Sequence, residues 1–190
     1  MRMGLLVVVV VAFMLSPAYS ADRDDPGGWT KAKWGMTVDQ VISAFRGSRY
    51  RLVPIRWLDG PTMDGLLAID GCVDLQIPKK TMVEPLRCFH VSFGFTKTAP
   101  ATLIHVNFEP DPPSSISNTP AFVAIQDMLS DKYGLPAYEK KSKPPDAHSD
   151  EIVWKFPKSR IRLSVDDLKS DPQNLFLILQ YFKALSADNL

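Results

Sequence analysis

The sequence predicts an α+β protein with two similar halves, each consisting of a helix packed on an antiparallel β-meander. The first observation is a pair of amphipathic helix patterns, which begin near residues 38 and 120. The second is the series of short strand patterns, separated by turn residues, that follows each helix. The third is the Pro- and Ser-rich stretch at 111–118, which forms a joint between a first half at 34–110 and a second half at 119–185.

Residues 1–20 have the organisation of a secretory signal peptide. Arg2 is followed by an apolar run, then by Pro17 and small residues, and cleavage is expected before Ala21. The apolar run is shorter than the roughly 20 residues that span a bilayer, and no Cys follows it for lipid attachment. We therefore expect an exported protein without a stable membrane anchor, periplasmic in a two-membrane bacterium and otherwise secreted. Residues 21–33 are expected to form a flexible N-terminal segment.

The charge balance argues against two classes of partner. The 190 residues include 22 Lys and Arg against 21 Asp and Glu, and the predicted signal peptide contributes one Arg and no acid. The mature part is therefore neutral in formal charge, so bulk electrostatics does not draw it to nucleic acid or to an anionic membrane. Its length also suffices to bury a core without a metal or many disulfides.

Cys72 and Cys88 are the two cysteines of the chain. In an oxidising compartment a disulfide between them is the expected state. In the chain-entropy model, a disulfide that closes a loop of about 15 residues stabilises the folded state by about 3 kcal/mol. A reactive thiol or a metal-binding pair is the alternative, although the Cys-x-x-Cys spacing typical of such sites is absent.

The stretch WGMTVDQVISAFRG, residues 34–47, predicts the first helix. Thr37 and Gln40 fit a capping box, and Met36 and Val41 occupy the positions of a hydrophobic staple. The apolar face and the stop signal of this helix are Val38, Val41, Ile42, Phe45 and Gly47. Because these residues are explained as the start signal, apolar face and stop signal of a helix, we prefer this interpretation to a ligand-recognition motif. We expect Trp34 to cover the edge of the core.

The stretch NTPAFVAIQDMLSDKYGLP, residues 118–136, predicts the second helix. Asn118 or Thr119 lies at the cap position, and Pro120 lies at the favoured first helical position. The apolar stripe and the stop signals are Phe122, Ile125, Leu129, Tyr133, Gly134 and Pro136. Alignment of the glycines that end the two helices superposes three apolar positions, which indicates an internal repeat.

Strand patterns follow both helices. Those after the first are YRLVPIRW, LLAID, CVDLQI, CFHVSFGF and TLIHVNFE, and those after the second are AYEKK, EIVWKF, RIRLSV and NLFLILQYF. In CFHVSFGF an apolar residue at every second position alternates with small or polar residues, which is typical of a half-buried strand.

The WGMT…V helix entry, the KYGLP helix end and the later W-x-F, I-x-L and L-x-Y strands resemble small secreted bacterial proteins of uncharacterised families. The repeated plan is also similar to β-lactamase-inhibitory-protein-like domains and to the small lipoprotein domains of outer-membrane assembly, which share a G-M-[ST]-x-x-x-V entry. This resemblance covers most of residues 34–182 and implies an α+β fold and a non-catalytic protein that binds other proteins. The attachment Cys of the lipoproteins is missing in this chain.

Two histidines are candidates for a site, although common hydrolase, zinc-protease and nucleotide-binding motifs are absent. If a hairpin pairs Phe95 with Thr102, one sheet face collects Ser, His, Asn and Glu side chains. The predicted pairs are His105–Ser92, Asn107–His90 and Glu109–Cys88. A metal or hydrolytic site at His90 and His105 is the sharper hypothesis, and an ordinary solvated face is the simpler one.

A cluster of arginines beside aromatic residues is the second candidate. Its members in RGSRYRLVPIRW are Arg46, Arg49, Arg51 and Arg56, next to Tyr50 and Trp57. Such a cluster can bind phosphate or carboxylate groups or anchor a protein interface.

The favoured hypothesis from these observations is an exported, non-catalytic binding or accessory protein whose partner is another envelope protein or a small ligand, and which needs no cofactor. A small-anion binder that uses the arginine cluster and a metal-dependent hydrolase at the two histidines are the alternatives.

Overall fold

The computed structural model describes residues 24–55, 63–75, 88–110, 118–141, 149–167 and 175–184. The predicted signal peptide, Arg56 and most of the predicted joint lie outside these ranges. Within them the chain forms two helices, α1 (Val38–Phe45) and α2 (Asn118–Tyr133). The strands are β1 (Gly28–Trp29), β2 (Ala32–Lys33), β3 (Arg51–Pro54), β4 (Met63–Asp70), β5 (Phe89–Thr96), β6 (Leu103–Pro110), β7 (Tyr138–Lys140), β8 (Ser149–Lys155), β9 (Ser159–Asp167) and β10 (Leu175–Lys183).

Eight of the described strands form one antiparallel sheet in the order β3-β4-β5-β6-β10-β9-β8-β7. Each helix is therefore followed along the chain by four strands that pair with their sequence neighbours. The two sets meet at β6 and β10, where Leu179 lies opposite Phe108 and Phe182 lies opposite His105. The predicted α+β class is confirmed, because this sheet carries α1 and α2 on its apolar side.

The start of α1 is the predicted capping box. The Gln40 side chain accepts a hydrogen bond from the Thr37 backbone N–H at 2.9 Å, and the Thr37 hydroxyl accepts one from the Gln40 N–H at 3.4 Å. Val41 and Phe45 are buried as expected. Ile42 is 40% exposed, so its assignment to the apolar face is wrong. A short helix that rests on a sheet buries only a narrow stripe, and Ile42 falls at the margin of that stripe.

The second helix follows its sequence pattern closely. Its predicted stripe is buried, together with two small residues: Phe122, Ile125, Leu129, Tyr133, Ala121 and Ala124. Gly134, directly after the helix, has φ of 73°, a conformation that glycine adopts without strain at a helix C-terminus. The Gly134 carbonyl also accepts a hydrogen bond from the Trp154 indole at 2.8 Å, which ties the helix end to β8.

The core lies between the helices and one face of the sheet. Strand alternation directs every second residue to this side, as in Phe89, Val91 and Phe93 of β5. Fully buried aromatic and aliphatic residues of β6, β8, β9 and β10 complete it, among them Phe108, Trp154, Ile161, Leu163, Leu177 and Leu179.

The N-terminal segment corrects one expectation. Residues 21–33 were expected to be flexible, but residues 28–33 form the β1–β2 hairpin, in which Ala32 is fully buried. The Trp29 ring packs against Phe45 and Phe108, with centroids 6.3 and 5.2 Å apart. Burial of a large aromatic surface favours ordering of this segment despite its polar and Gly-rich composition.

Cys72 and Cys88 form the predicted disulfide. The Val73 and Phe89 backbones exchange two hydrogen bonds of 3.0 Å beside it. This is an isolated bridge and not the full strand predicted for CVDLQI, of which only residues 72–75 lie within the described ranges. The disulfide therefore holds the start of this segment against the start of β5.

Candidate functional site

The side of the sheet that faces away from the core is unusually polar. Pairing in register places the alternate residues of β5, β6, β10, β9 and β8 on this side. We call this surface the polar face; its members are His90, Ser92, Gly94, His105, Asn107, Glu109, Ile178, Gln180, Phe182, Arg160, Arg162, Ser164, Glu151, Val153 and Lys155. Both α1 and α2 bury their apolar residues in the core on the opposite side, so neither helix covers the polar face.

One row of the polar face is a stack of three flat groups. Arg160 lies opposite Phe182, Phe182 opposite His105, and His105 opposite Gly94. The guanidinium carbon of Arg160 is 5.4 Å from the Phe182 ring centroid. The rings of Phe182 and His105 are stacked, with centroids 4.6 Å apart and planes at 13°. The stack fixes the plane of the imidazole, and the glycine opposite leaves its other side without a cross-strand side chain.

His105 is the most unusual titratable group of this face. It is only 5% exposed, and neither ring nitrogen has a hydrogen-bond partner. Burial lowers the pKa of His105 from 6.5 to about 4, because the charged imidazolium loses its hydration. The ring is therefore neutral at pH 7 and presents one N–H donor and one nitrogen acceptor, both unused.

The next row is a hydrogen-bonding row. Arg162 lies opposite Gln180, Gln180 opposite Asn107, and Asn107 opposite Ser92. The Arg162 guanidinium donates to the Gln180 side-chain oxygen at 3.5 Å. Arg162 Nε also lies 2.9 Å from Glu151 Oε1, an ion pair in which the N–H does not point at the carboxylate oxygen.

Further polar atoms of the face are buried without a partner. The Asn107 amide donates to Glu109 Oε1 at 2.6 Å, but its own oxygen is unpartnered. The Ser164 hydroxyl is also unpartnered and its residue is 1% exposed. A buried polar atom left without a partner costs about 1–3 kcal/mol. Such groups require an explanation, because most buried polar atoms in proteins have a hydrogen-bond partner.

Two features of the polar face differ from those of a catalytic centre that acts near pH 7. A general base for reaction near pH 7 needs a pKa close to that pH, whereas the pKa of His105 is about 4. The polar residues also follow the strands in an extended band instead of converging on one point. No group of three or more His, Cys, Asp or Glu within the described ranges is arranged to hold a metal ion.

The structure separates the two histidines that the sequence analysis placed on one site. His90 pairs with Glu109 and Ser92 with Asn107, while His105 pairs with Gly94. The predicted pairs His105–Ser92, Asn107–His90 and Glu109–Cys88 are therefore wrong by two residues. Phe95 pairs with Leu103 and not with Thr102, and a register shift between Gly94 and Phe95 adds the second residue. Four residues along β5 and one strand spacing place His90 about 14 Å from His105, which is too far for a shared metal. The expectation of a solvated face is also wrong at Ser92, His105 and Asn107, which are buried.

The described arginines of the cluster lie at or just before the edge strand β3. Arg51 is its first residue, and Arg46 and Arg49 lie between α1 and β3. Arg46, Arg49 and Arg51 are exposed, and Arg56 is outside the described residues. Arg51 Nε lies 3.1 Å from Asp70 Oδ2, and Arg49 donates to the Tyr50 hydroxyl at 2.6 Å. Two of the three described guanidinium groups are thus engaged with protein groups at the edge strand β3.

The comparisons with known proteins give no relative for this chain. No protein-family model matches it, and no curated protein and no solved structure is significantly similar to it. Of the helices in the described ranges, none has the length and apolar character required to cross a bilayer.

The sequence analysis missed the contribution of the second half to the site. Arg160, Arg162 and Ser164 alternate with apolar residues in RIRLSV, and Gln180 and Phe182 alternate likewise in β10. That period-two signal was visible in the sequence. Which of these strands lies next to His105 was not visible, because the β6–β10 pair joins residues about 75 positions apart.

Proposed function

We propose that this protein is an exported, non-catalytic binding protein that holds a polar segment of another exported protein on its polar face. The observation that carries the proposal is the set of buried, unpartnered polar atoms at His105, Asn107 and Ser164. They lie on the sheet face opposite α1 and α2, and all three residues are buried. A partner that displaces the atoms that shield them and supplies hydrogen-bonding groups would satisfy them.

The extent of the surface favours a polypeptide as the occupant. Five adjacent strands contribute to it, which corresponds to a width of about 19 Å at the usual strand spacing. A neutral imidazole, an amide oxygen and a hydroxyl are complementary to amide and hydroxyl groups, which peptide backbones and polar side chains both offer. The paired charges of Glu151 and Arg162 would contribute to orientation more than to affinity.

The topology also supports an internal repeat, which we include in the proposal. Each helix precedes four consecutively paired strands, and the last strand of one set pairs with the last strand of the other. In this proposal the polar face spans the junction of the two halves, because β5 and β6 belong to the first set of strands and β8, β9 and β10 to the second.

Export and partner binding can be tested together in a host that expresses the full chain. A photo-reactive residue in place of Gln180 should form one specific cross-linked product in the compartment to which the chain is delivered. The same residue in place of Asp127, an exposed position on α2, is the matched control and should give no such product.

The captured partner should then be purified and its affinity measured. We expect His105→Phe and Gln180→Arg each to weaken binding by about tenfold or more, which corresponds to about 1.4 kcal/mol, while Asp127→Asn leaves it unchanged. Equal affinity for the wild-type protein and both polar-face variants would rule out this surface as the binding site.

A further inference from the structure

A cleft lies on the opposite side of the sheet, between the N-terminal segment and the end of α2. Its volume is about 460 Å³, which is within the range of small-molecule sites. Trp29 and Lys33 of the β1–β2 hairpin form one wall, Met128, Lys132 and Tyr133 of α2 form the other, and Tyr181 contributes to the floor. We call this space the hairpin cleft.

The aromatic walls of the hairpin cleft are held in place. The Trp29 ring contacts Phe45 and Phe108, and the Tyr133 ring packs edge-on against Phe156 with centroids 5.3 Å apart. Tyr181 is hydrogen-bonded to Tyr133, and burial raises the pKa of Tyr181 above its ordinary value. The Tyr181 phenol therefore remains neutral at physiological pH, so it gives the floor of the cleft an aromatic, uncharged surface.

The hairpin that forms one wall is anchored to the distant β8–β9 turn. Asp25 Oδ1 accepts hydrogen bonds from the Gly27 N–H at 2.9 Å and from the Ser159 hydroxyl, and Asp25 Oδ2 accepts one from the Lys158 N–H. The Trp34 indole donates to the Ser159 oxygen at 2.8 Å. Because three donors already satisfy the Asp25 carboxylate, this residue serves to position the wall and is not a free charge for a ligand.

The charges that remain at the rim are two ammonium groups and one carboxylate. Lys33, Lys132 and Asp24 are exposed and line the cleft. Lys132 Nζ lies 5.0 Å from the centroid of the Tyr133 ring, so its charge stands directly over an aromatic wall. A flat apolar body would contact the aromatic walls, and the two ammonium groups outweigh the one carboxylate, so the rim favours a negative group.

We infer that the hairpin cleft is a binding site for a small, flat aromatic anion such as an aryl carboxylate or sulfonate. The site is independent of the proposed protein-binding function, because the cleft opens on the helix side and the polar face lies on the other. Failure of one proposal therefore leaves the other unaffected.

The test uses protein purified after expression of the full chain, with 8-anilinonaphthalene-1-sulfonate as the probe. We expect one probe molecule per chain with a Kd below about 1 mM, measured by titration calorimetry. In the NMR spectrum, the indole N–H signal of Trp29 should shift with the same Kd. The uncharged analogue 1-anilinonaphthalene should bind at least about tenfold more weakly.

Lysine variants distinguish binding of the probe in the hairpin cleft from non-specific binding elsewhere on the protein. The double variant Lys33→Gln/Lys132→Gln should bind the sulfonate about fivefold more weakly, since two exposed ion pairs are worth about 1 kcal/mol together. The matched control Lys31→Gln/Lys140→Gln removes the same charge from exposed positions that do not line the cleft and should bind as the wild type does. Equal weakening in both double variants, or binding without a shift of the Trp29 signal, would overturn the inference.

Discussion

Replacement of His105 by Phe should stabilise the protein while it weakens the proposed interaction. The imidazole is 5% exposed, stacks on Phe182 and has two unpartnered nitrogens. A phenyl ring retains the stack and removes the buried polar atoms. A buried polar group without a partner costs about 1–3 kcal/mol. Because the substitution recovers part of this cost, we expect the free energy of unfolding to rise by about 1–2 kcal/mol at pH 7.

The stability gain should increase in acid, because His105 titrates differently in the two states. Its pKa is about 4 in the folded protein and 6.5 in the unfolded chain. The unfolded chain therefore binds more protons between these values, and wild-type stability falls as the pH is lowered from about 6.5 to about 4. The total loss attributable to this group is about 3 kcal/mol. Below pH 4 both states are protonated, and the difference between variant and wild type becomes constant.

The assay is urea unfolding of wild type and His105→Phe at pH 7.5 and pH 4.5, followed by Trp fluorescence. The variant should have the higher midpoint at pH 7.5, equivalent to a rise in Tm of about 2–8 °C, and its advantage should widen by about 2–3 kcal/mol at pH 4.5. Other titrating groups of the face, such as Glu109, Glu151 and His90, are common to both proteins and cancel in the comparison. A variant less stable than the wild type at pH 7.5, or an advantage that does not depend on pH, would refute the assignment of His105 as a buried, unpartnered and neutral imidazole.

Three further substitutions test the fold. Cys72→Ser/Cys88→Ser should destabilise the protein by about 3 kcal/mol, and reduction of the wild type should give a similar loss in thermal unfolding. Gly28→Ala should cost at least about 2 kcal/mol, because Gly28 has φ of 142° and a Cβ there would lie 2.1 Å from the Ala32 carbonyl oxygen; a variant with wild-type thermal stability would contradict the hairpin geometry. Thr37→Ala should cost about 1 kcal/mol in chemical denaturation, and no measurable change would argue against the capping box.

Local signals predicted the helices well. The capping box of Thr37 and Gln40 involves residues three positions apart, so its formation depends on little beyond the local chain. The stripe of α2 from Phe122 to Tyr133 is likewise a local 3.6-residue period. Burial of Ile42 could not be predicted in this way, because it depends on how far the sheet extends beneath α1.

Alternation also predicted which face each strand residue occupies, but not its neighbours. The β5–β6 register was wrong by two residues, and a shift of two leaves every side chain on its original face. His105 was therefore correctly assigned to the non-core side of the sheet and incorrectly paired with Ser92. The irregularity between Gly94 and Phe95 has no distinctive sequence pattern, so only the folded hairpin determines the pairing.

Short-range periodicity and turn chemistry were sufficient to predict the α+β class, both helices, the capping box of α1, the glycine that follows α2 and the inward and outward residues of the strands. The tertiary structure alone determined that β6 pairs with β10, that the N-terminal hairpin closes a cleft against α2 and that His105 is buried without a partner. Each of these depends on the contact of segments far apart in the chain, where burial and long-range register, and not local preference, set the free energy.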